Sequence, residues 1–292
     1  MCTCSNQSSP TLRPLWVGDR RMTLWDRSAS TSQRGERVTV NGIDLYFEVH
    51  GRDDGDPPAV LLHGGAGGIE MFGPNLAALA STRRVIAVDL PGHARSAASE
   101  RAMRYESMAD DIAALLGRLG VRQADLVGYS LGGGVAQQLT FRHPELVRRL
   151  VVVSSPFRRN AFYAEILAAF DQMGAATGSM VKQGPLGQLY PNVDFERLFT
   201  QIGDLQRQEY DWSREVAHVS GPVLLVFADA DTYHPEHIVE FYKLLGGGQR
   251  DAGWDGKLRS KNQLAIIPNR THYDLLATTA VADVVEPFLA AE

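Results

Sequence analysis

The chain is 292 residues long, and its hydrophobic fraction of 44% and charged fraction of 22% are ordinary for a globular protein. The formal net charge of −5 gives no electrostatic reason to expect a nucleic acid or an anionic membrane as partner. No stretch approaches the roughly 20 consecutive apolar residues that a membrane span requires. We therefore expect a soluble, cytoplasmic protein.

The N-terminal part of the chain shows no sustained hydrophobic period and is rich in Ser, Thr, Arg and Gln. It holds both cysteines, Cys2 and Cys4, far from the nearest histidine, so a metal site there is disfavoured. The first residues also lack the charged and apolar runs of a signal peptide. We predict a poorly ordered extension over residues 1–36, and we expect neither a metal nor an organic cofactor.

An ordered core is predicted to begin near Arg37. The runs Val38–Val40 and Asp44–Val49 flank an Asn-Gly turn, which is typical of a β-hairpin. Apolar runs then alternate with helical stretches. The predicted strands are Ala59–His63, Arg84–Asp89, Asp125–Tyr129, Leu150–Ser154, Val223–Phe227 and Gln263–Ile267, and the predicted helices are Asn75–Ser81, Met108–Leu119 and Leu131–His143. This alternation predicts an α/β fold with a mostly parallel, doubly wound sheet.

The alternation stops after Ser154 and resumes at Val223. Between them, residues 156–220 are helical in pattern and rich in aromatic residues and methionine. An insertion on the side of an open sheet where ligands bind is expected to act as a lid. The sequence thus predicts a core of residues 37–155 and 221–292 with a helical lid over 156–220.

The segment Gly128-Tyr129-Ser130-Leu131-Gly132 lies between a predicted strand and a predicted helix. Gly-x-Ser-x-Gly in that setting is typical of a nucleophile elbow, in which a tight turn exposes the serine. Side chains at the two glycines would collide with the neighbouring strand and helix. Ser130 is the predicted nucleophile.

A serine nucleophile needs hydrogen-bond donors for the oxyanion that forms when it attacks a carbonyl. The glycine-rich segment His63–Gly68 follows an early strand, and its backbone can approach a substrate closely. We assign the N–H groups of Gly65 and Leu131 as the donors, with Gly64 or Ala66 as alternatives to Gly65. The segment lacks the spacing of a phosphate-binding loop.

The acid of the site is expected after a later strand. Val223–Phe227 leads into Asp229 and Asp231. Asp231 lies further along the turn and is better placed to reach a histidine from another loop. Asp229 is the alternative, with a loop hydrogen bond as its other role.

The general base is expected last in the chain. His272 follows a predicted strand and the loop Pro268–Thr271, and precedes a closing helix. His234 is the alternative base, whereas His63 is expected to pack structurally. His234 and His237 are both expected to be exposed on a helix. The order Ser130, Asp231, His272 is the order that a hydrolase elbow requires.

These motifs resemble the α/β-hydrolase superfamily from about Arg37 to Glu292. One departure is Ala94, in the turn Asp89–Ser96, where many members carry glycine. Relatives with an aspartate nucleophile, the epoxide hydrolases and haloalkane dehalogenases, are disfavoured by Ser130. Gly132–Gly134, Asp231–His237 and Leu244–Gly256 also look like the serine-dependent macrolide esterases of antibiotic-resistance cassettes. That similarity implies opening of a macrolide lactone ring.

The sequence therefore predicts a serine esterase or lactonase acting on a small-molecule ester, bulky and apolar to match the lid. Other reactions share the same three residues: carbon–carbon bond hydrolysis, thioester hydrolysis and cofactor-free perhydrolysis. A ligand-binding protein on the same scaffold is a further alternative. An intact set of nucleophile, acid, base and glycine loop favours the enzyme.

Overall fold

The computed structural model describes residues 35–291. These residues form one eight-stranded sheet in the order β1-β2-β4-β3-β5-β6-β7-β8. The strands are β1 Glu36–Val40, β2 Ile43–His50, β3 Ala59–Leu62, β4 Val85–Val88, β5 Ala124–Tyr129, β6 Val147–Val153, β7 Val223–Ala230 and β8 Gln263–Thr271. The β1–β2 and β2–β4 pairs are antiparallel, and the pairs from β4 through β3 to β8 are parallel.

Helices cover both faces of the sheet. In the described part of the chain they are α1 Pro74–Ala80, α2 Tyr105–Arg118, α3 Leu131–Arg142, α4 Ala164–Asp171, α5 Ala175–Lys182, α6 Pro185–Leu189, α7 Phe195–Gln206, α8 Ser213–Ala217, α9 Pro235–Leu244 and α10 Ala280–Ala290. The central strands β3, β4 and β5 are buried along their whole length, as strands covered on both faces must be. The predicted α/β fold with a mostly parallel sheet is thereby confirmed.

Helices α4 to α8 lie between β6 and β7, where the strand pattern of the sequence is interrupted. Helix α7 buries one apolar face, including Leu198 and Phe199, against the rest of the molecule. The insertion begins and ends close together, because Trp212 N–H donates to Phe157 C=O over 2.9 Å. We refer to residues 156–220 as the helical insertion.

Strand β8 is longer than the sequence suggests. The segment Pro268–Thr271, expected as a loop, continues the strand after a register shift, and Ala230 pairs with Thr271. Asn269 there has a φ of +58°. A proline is tolerated there because β8 is the edge strand of the sheet that residues 35–291 form.

Three further predictions about the chain can be compared with the structure. The predicted poorly ordered extension over residues 1–36, with both cysteines, lies outside the described residues except for Gly35 and Glu36, and Glu36 opens β1. Among residues 35–291 no helix is long and apolar enough to cross a membrane. The predicted hairpin turn at Asn41-Gly42 joins β1 to β2.

Asn75 ties the start of α1 to the chain that precedes α10. Its side-chain Nδ2 donates to the carbonyl groups of Phe72, Leu276 and Thr278 over 2.8–3.1 Å, and its Oδ1 accepts from Ala282 N–H. The side chain is buried, with 1% of its surface exposed. The Asn75 amide therefore anchors the segment that follows His272 in the chain, and holds it against the start of α1.

We expect Asn75→Ala to lower the free energy of unfolding by about 3 kcal/mol, because it leaves several buried backbone groups unpaired. Urea denaturation followed by circular dichroism measures the change. Asn192 is exposed, and Asn192→Ala serves as control with a change within about 0.5 kcal/mol. Equal stability of the two variants would contradict the role assigned to Asn75.

Candidate active site

Ser130 sits in the tight turn between β5 and α3, with φ +52° and ψ −117°. Its N–H donates to Val153 C=O over 2.9 Å, which ties the turn to β6. A Cβ at Gly128 would run into the Gly132 carbonyl, and a Cβ at Gly132 would run into the Leu62 carbonyl. The two flanking glycines are therefore required by close backbone packing, and the serine is held in the strained conformation of an elbow.

The glycine-rich loop after β3 lies against this elbow. A Cβ built on Gly64 would lie 3.3 Å from Ser130 Cβ, and one built on Gly65 would lie 3.5 Å from Leu131 Cδ1. Gly132 N–H donates to His63 C=O over 3.0 Å and fixes the loop to the start of α3. Within residues 35–291, the N–H groups of Gly65 and Leu131 donate no hydrogen bond, and the same holds for Gly64 and Ala66, the alternatives to Gly65.

Asp89, in the turn after β4, positions the other end of the glycine-rich loop. Its buried carboxylate accepts from Ile69 N–H over 2.9 Å and from the backbone and guanidinium of Arg95. Arg95 also binds the carboxylate of Glu70. Ala94, where many superfamily members carry glycine, has a φ of +46°, in the region that glycine favours.

Asp231 directly follows β7, just after the register shift between Ala228 and Ala230. Its side chain is only 1% exposed. Oδ1 accepts from Thr232 N–H over 2.8 Å, and Oδ2 accepts from Ala228 N–H over 3.0 Å. The alternative acid, Asp229, is exposed and points elsewhere, where it accepts from Asn269 and Arg270 N–H.

His272 lies between Ser130 and Asp231 and contacts both. Its Nε2 lies 3.1 Å from Ser130 Oγ, and its Nδ1 lies 3.2 Å from Asp231 Oδ1. The structure therefore brings the three residues singled out in the sequence into one hydrogen-bonded chain. They arrive from β5, β7 and β8, whose carboxyl ends meet at one edge of the sheet.

The charge state of Asp231 follows from its contacts. Burial alone would raise the pKa of its carboxyl, but the hydrogen bond and the charge of His272 outweigh this. The Ser154 hydroxyl and Ala228 N–H lower the pKa further, so that it lies below its ordinary value. The carboxylate consequently stays ionised at neutral pH, and its contribution to stability is lost only as the pH falls through this lowered pKa.

Further residues that the sequence analysis did not single out also touch His272, among them Thr232, whose Oγ1 lies 3.5 Å from His272 Nδ1. The Tyr129 hydroxyl donates to His272 C=O over 2.5 Å, and its ring stacks on the imidazole with centroids 5.4 Å apart. Ser154 Oγ lies 2.7 Å from His272 Nδ1. Tyr129 stands inside the Gly-x-Ser-x-Gly motif, whereas Ser154 follows a different strand and carried no signal of its own.

The remaining histidines lie apart from this chain of contacts. His63 is fully buried, and its Nε2 accepts from Leu90 N–H, as expected of a structural residue. His234 is exposed and packs on Tyr163. The expectation that His237 is exposed is wrong: it is 2% exposed and stacks on Phe157 with centroids 4.3 Å apart.

No cluster suited to a metal ion accompanies the site. Among residues 35–291, no three His, Cys, Asp or Glu side chains are grouped so that they could hold one. The chemistry open to the arrangement is acid–base and nucleophilic. The hydroxyl of Ser130 has an imidazole beside it and a buried carboxylate on the far side of that imidazole.

Comparison with known proteins agrees with this architecture. The family model described as alpha/beta hydrolase fold matches residues 57–199. A carboxylesterase from Bacillus subtilis superposes with a TM-score of 0.67 at 23% identity, covering 91% of this chain and 93% of the other. The chain has the α/β-hydrolase fold.

Curated relatives extend the comparison in sequence. The sn-1-specific diacylglycerol lipase ABHD11 of Danio rerio is 29% identical over 79% of this chain and 75% of the lipase. The dihydrolipoyllysine-residue acetyltransferase component of the acetoin cleaving system of Pseudomonas putida is 29% identical over 68% of this chain. The chain spans only 58% of the length of that second protein. These matches agree with the α/β-hydrolase fold.

Replacing the buried carboxylate separates the two candidate acids. We expect Asp231→Asn to slow labelling of Ser130 by a fluorophosphonate probe by about 10⁴-fold, because the amide no longer stabilises the imidazolium or fixes its tautomer. Asp229→Asn is the matched control and should label close to the wild-type rate. Intact-mass spectrometry over time measures both.

If Asp229→Asn slowed the labelling of Ser130 and Asp231→Asn did not, Asp229 would be the acid, and the role inferred from the geometry of Asp231 would be contradicted. Circular dichroism of both variants verifies that each remains folded.

Proposed function

We propose that this protein is a serine esterase or lactonase in which Ser130 is the nucleophile, His272 the general base and Asp231 the orienting acid. The observation that carries the proposal is the 3.1 Å contact between Ser130 Oγ and His272 Nε2, with His272 Nδ1 directed at a buried, ionised carboxylate. That arrangement makes a serine hydroxyl nucleophilic.

The reaction proceeds in two halves. Ser130 Oγ attacks the ester carbonyl carbon while its proton passes to His272 Nε2. The imidazolium then protonates the leaving alkoxide, which departs as alcohol, or stays attached by a carbon chain if the substrate is a lactone. Water, deprotonated by the same nitrogen, attacks the acyl group on Ser130 and releases the acid.

The negative charge of each tetrahedral intermediate needs donors that are in place beforehand. Leu131 N–H lies at the N-terminus of α3, and Gly65 N–H lies on the loop packed against Leu131. The helix end adds a favourable partial positive charge. We propose these two N–H groups as the oxyanion hole; removal of one such donor typically slows a hydrolase by about 10²–10³-fold.

The helical insertion encloses the site from two sides and is proposed as its lid. Tyr163 N–H donates to Thr232 C=O beside Asp231, and the Tyr190 hydroxyl donates to Glu70 at the base of the glycine-rich loop over 2.6 Å. Ile202 of α7 lies above Gly65, 3.7 Å from a Cβ built there. His272 is left with 12% of its side chain exposed, so a bulky substrate requires the insertion to move.

The apolar character of this lid supports a bulky apolar acyl or alcohol group in the substrate. The name of the curated Danio rerio relative, a diacylglycerol lipase, supports ester chemistry with apolar groups. The motif similarity to macrolide esterases supports a narrower proposal, that the ester is the lactone bond of a macrolide antibiotic. We also propose that the protein acts in the cytoplasm on a small molecule, without nucleic acid or membrane as partner.

Mass spectrometry of the products tests the reaction and its substrate together. Simple carboxylic esters, small lactones and macrolide antibiotics are incubated separately with the wild type and with Ser130→Ala. We expect a mass gain of one water on at least one ester or lactone with the wild type, and none with the variant.

A macrolide that gains one water only with the wild type would support the narrower proposal. Hydrolysis of simple esters with macrolides untouched would exclude it and leave a general carboxylesterase. Hydrolysis by Ser130→Ala at the wild-type rate would contradict the assignment of the nucleophile.

A further inference from the structure

Ser154 occupies an unusual backbone position directly after β6. It is fully buried, and its φ of +47° lies in the region that side chains rarely adopt. Its N–H donates to Val226 C=O over 2.8 Å, and its own carbonyl accepts from the Tyr233 hydroxyl over 3.0 Å. The backbone is therefore held in place from β7 and from the loop after it, and the contacts of the hydroxyl define the direction of the side chain.

That direction places the hydroxyl between the proposed base and acid. Ser154 Oγ lies 2.7 Å from His272 Nδ1, and 2.8 Å and 2.7 Å from the two oxygens of Asp231. The direct distance from His272 Nδ1 to Asp231 Oδ1 is longer, at 3.2 Å. The hydroxyl is thus the closer partner of the imidazole.

A count of hydrogens fixes the direction of these bonds. The ionised carboxylate of Asp231 can only accept, so the single hydroxyl hydrogen of Ser154 is donated to it. The hydroxyl oxygen then faces His272 Nδ1 with its lone pairs and accepts the Nδ1–H. A hydrogen on Nδ1 leaves the lone pair on Nε2, which is the nitrogen that faces Ser130 Oγ.

We propose that Ser154 is a positioning residue for the hydrolytic reaction: its hydroxyl bridges His272 and Asp231 and holds the imidazole in the tautomer that accepts the proton of Ser130. The inference rests on the proposed function and extends it. The Ser154 hydroxyl contacts His272 and Asp231, so its effect on the reaction passes through these two side chains.

The backbone strain at Ser154 supplies a way to separate this role from a merely structural one. Alanine removes the hydroxyl and keeps the strain, whereas glycine removes the hydroxyl and relieves the strain. If the hydroxyl positions His272, both variants lose activity alike, whatever their stabilities. If Ser154 only supports the fold, activity follows stability and the two variants differ.

The experiment compares the wild type, Ser154→Ala, Ser154→Gly and the control Ser155→Ala. Ser155 is the neighbouring buried serine, and its side chain packs on Gly133 instead of His272. Three quantities are measured: kcat and KM for an activated phenyl ester, the thermal midpoint of unfolding, and the NMR resonance of the His272 Nδ1–H proton. The resonance is assigned by its absence in His272→Gln.

We expect kcat to fall by roughly 10- to 100-fold in both Ser154 variants, because a misplaced base costs on this scale, with KM unchanged. The Nδ1–H resonance should move in both, and Ser155→Ala should match the wild type in kcat and in the resonance. Wild-type kcat and an unmoved resonance in either Ser154 variant would overturn the proposal.

The activity of the wild type keeps this test separate from that of the proposed function. If the wild type hydrolyses no ester, the proposed function fails, and the positioning role for hydrolysis is overturned with it. If the wild type is active and the Ser154 variants keep wild-type kcat, only the role of Ser154 fails.

Discussion

The structure depends on one steric constraint, the close contact of the strand before Ser130 with the helix after it. A Cβ at Gly128 would strike the Gly132 carbonyl at the start of α3, and a Cβ at Gly132 would strike the Leu62 carbonyl of β3, so the start of α3 lies directly against both strands. The turn that joins β5 to α3 leaves Ser130 at a positive φ with its hydroxyl beside the imidazole of His272. All other parts of the candidate site are arranged around that fixed point.

The sheet brings those other parts to the same edge. Parallel strands place their carboxyl ends side by side, so the loops after β3, β5, β7 and β8 meet although they are far apart in the sequence. The surroundings of Asp231 then determine its charge state. Asp231 is removed from water but keeps its charge, because His272, Ser154 and backbone N–H groups surround its oxygens. A buried charge that is satisfied in this way can fix the orientation of an imidazole without being neutralised.

The sheet and the three residues Ser130, Asp231 and His272 could be predicted from the sequence because both predictions depend on local patterns. Apolar runs and glycine spacing are readable along the chain, and the position of Asp231 and His272 after strands followed from the order of those runs. Tyr129, Ser154 and the burial of His237 could not be predicted in the same way. Each depends on a contact across the fold: the Tyr129 hydroxyl on a backbone carbonyl 143 residues away, the Ser154 hydroxyl on two other loops, and His237 on the ring of Phe157. The length of β8 was also missed, since it depends on pairing with β7 after a bulge.

The account's central claim is that Ser130 carries the acyl group during turnover. Mixing the protein with an activated acetate ester, quenching in acid after milliseconds and mapping the modified peptide tests this most directly. The account predicts a transient acetyl group on Ser130 that forms before product accumulates in steady state and disappears once the substrate is consumed. An ester hydrolysed with no acyl group on Ser130 at any time, or with the acyl group on another residue, would contradict it.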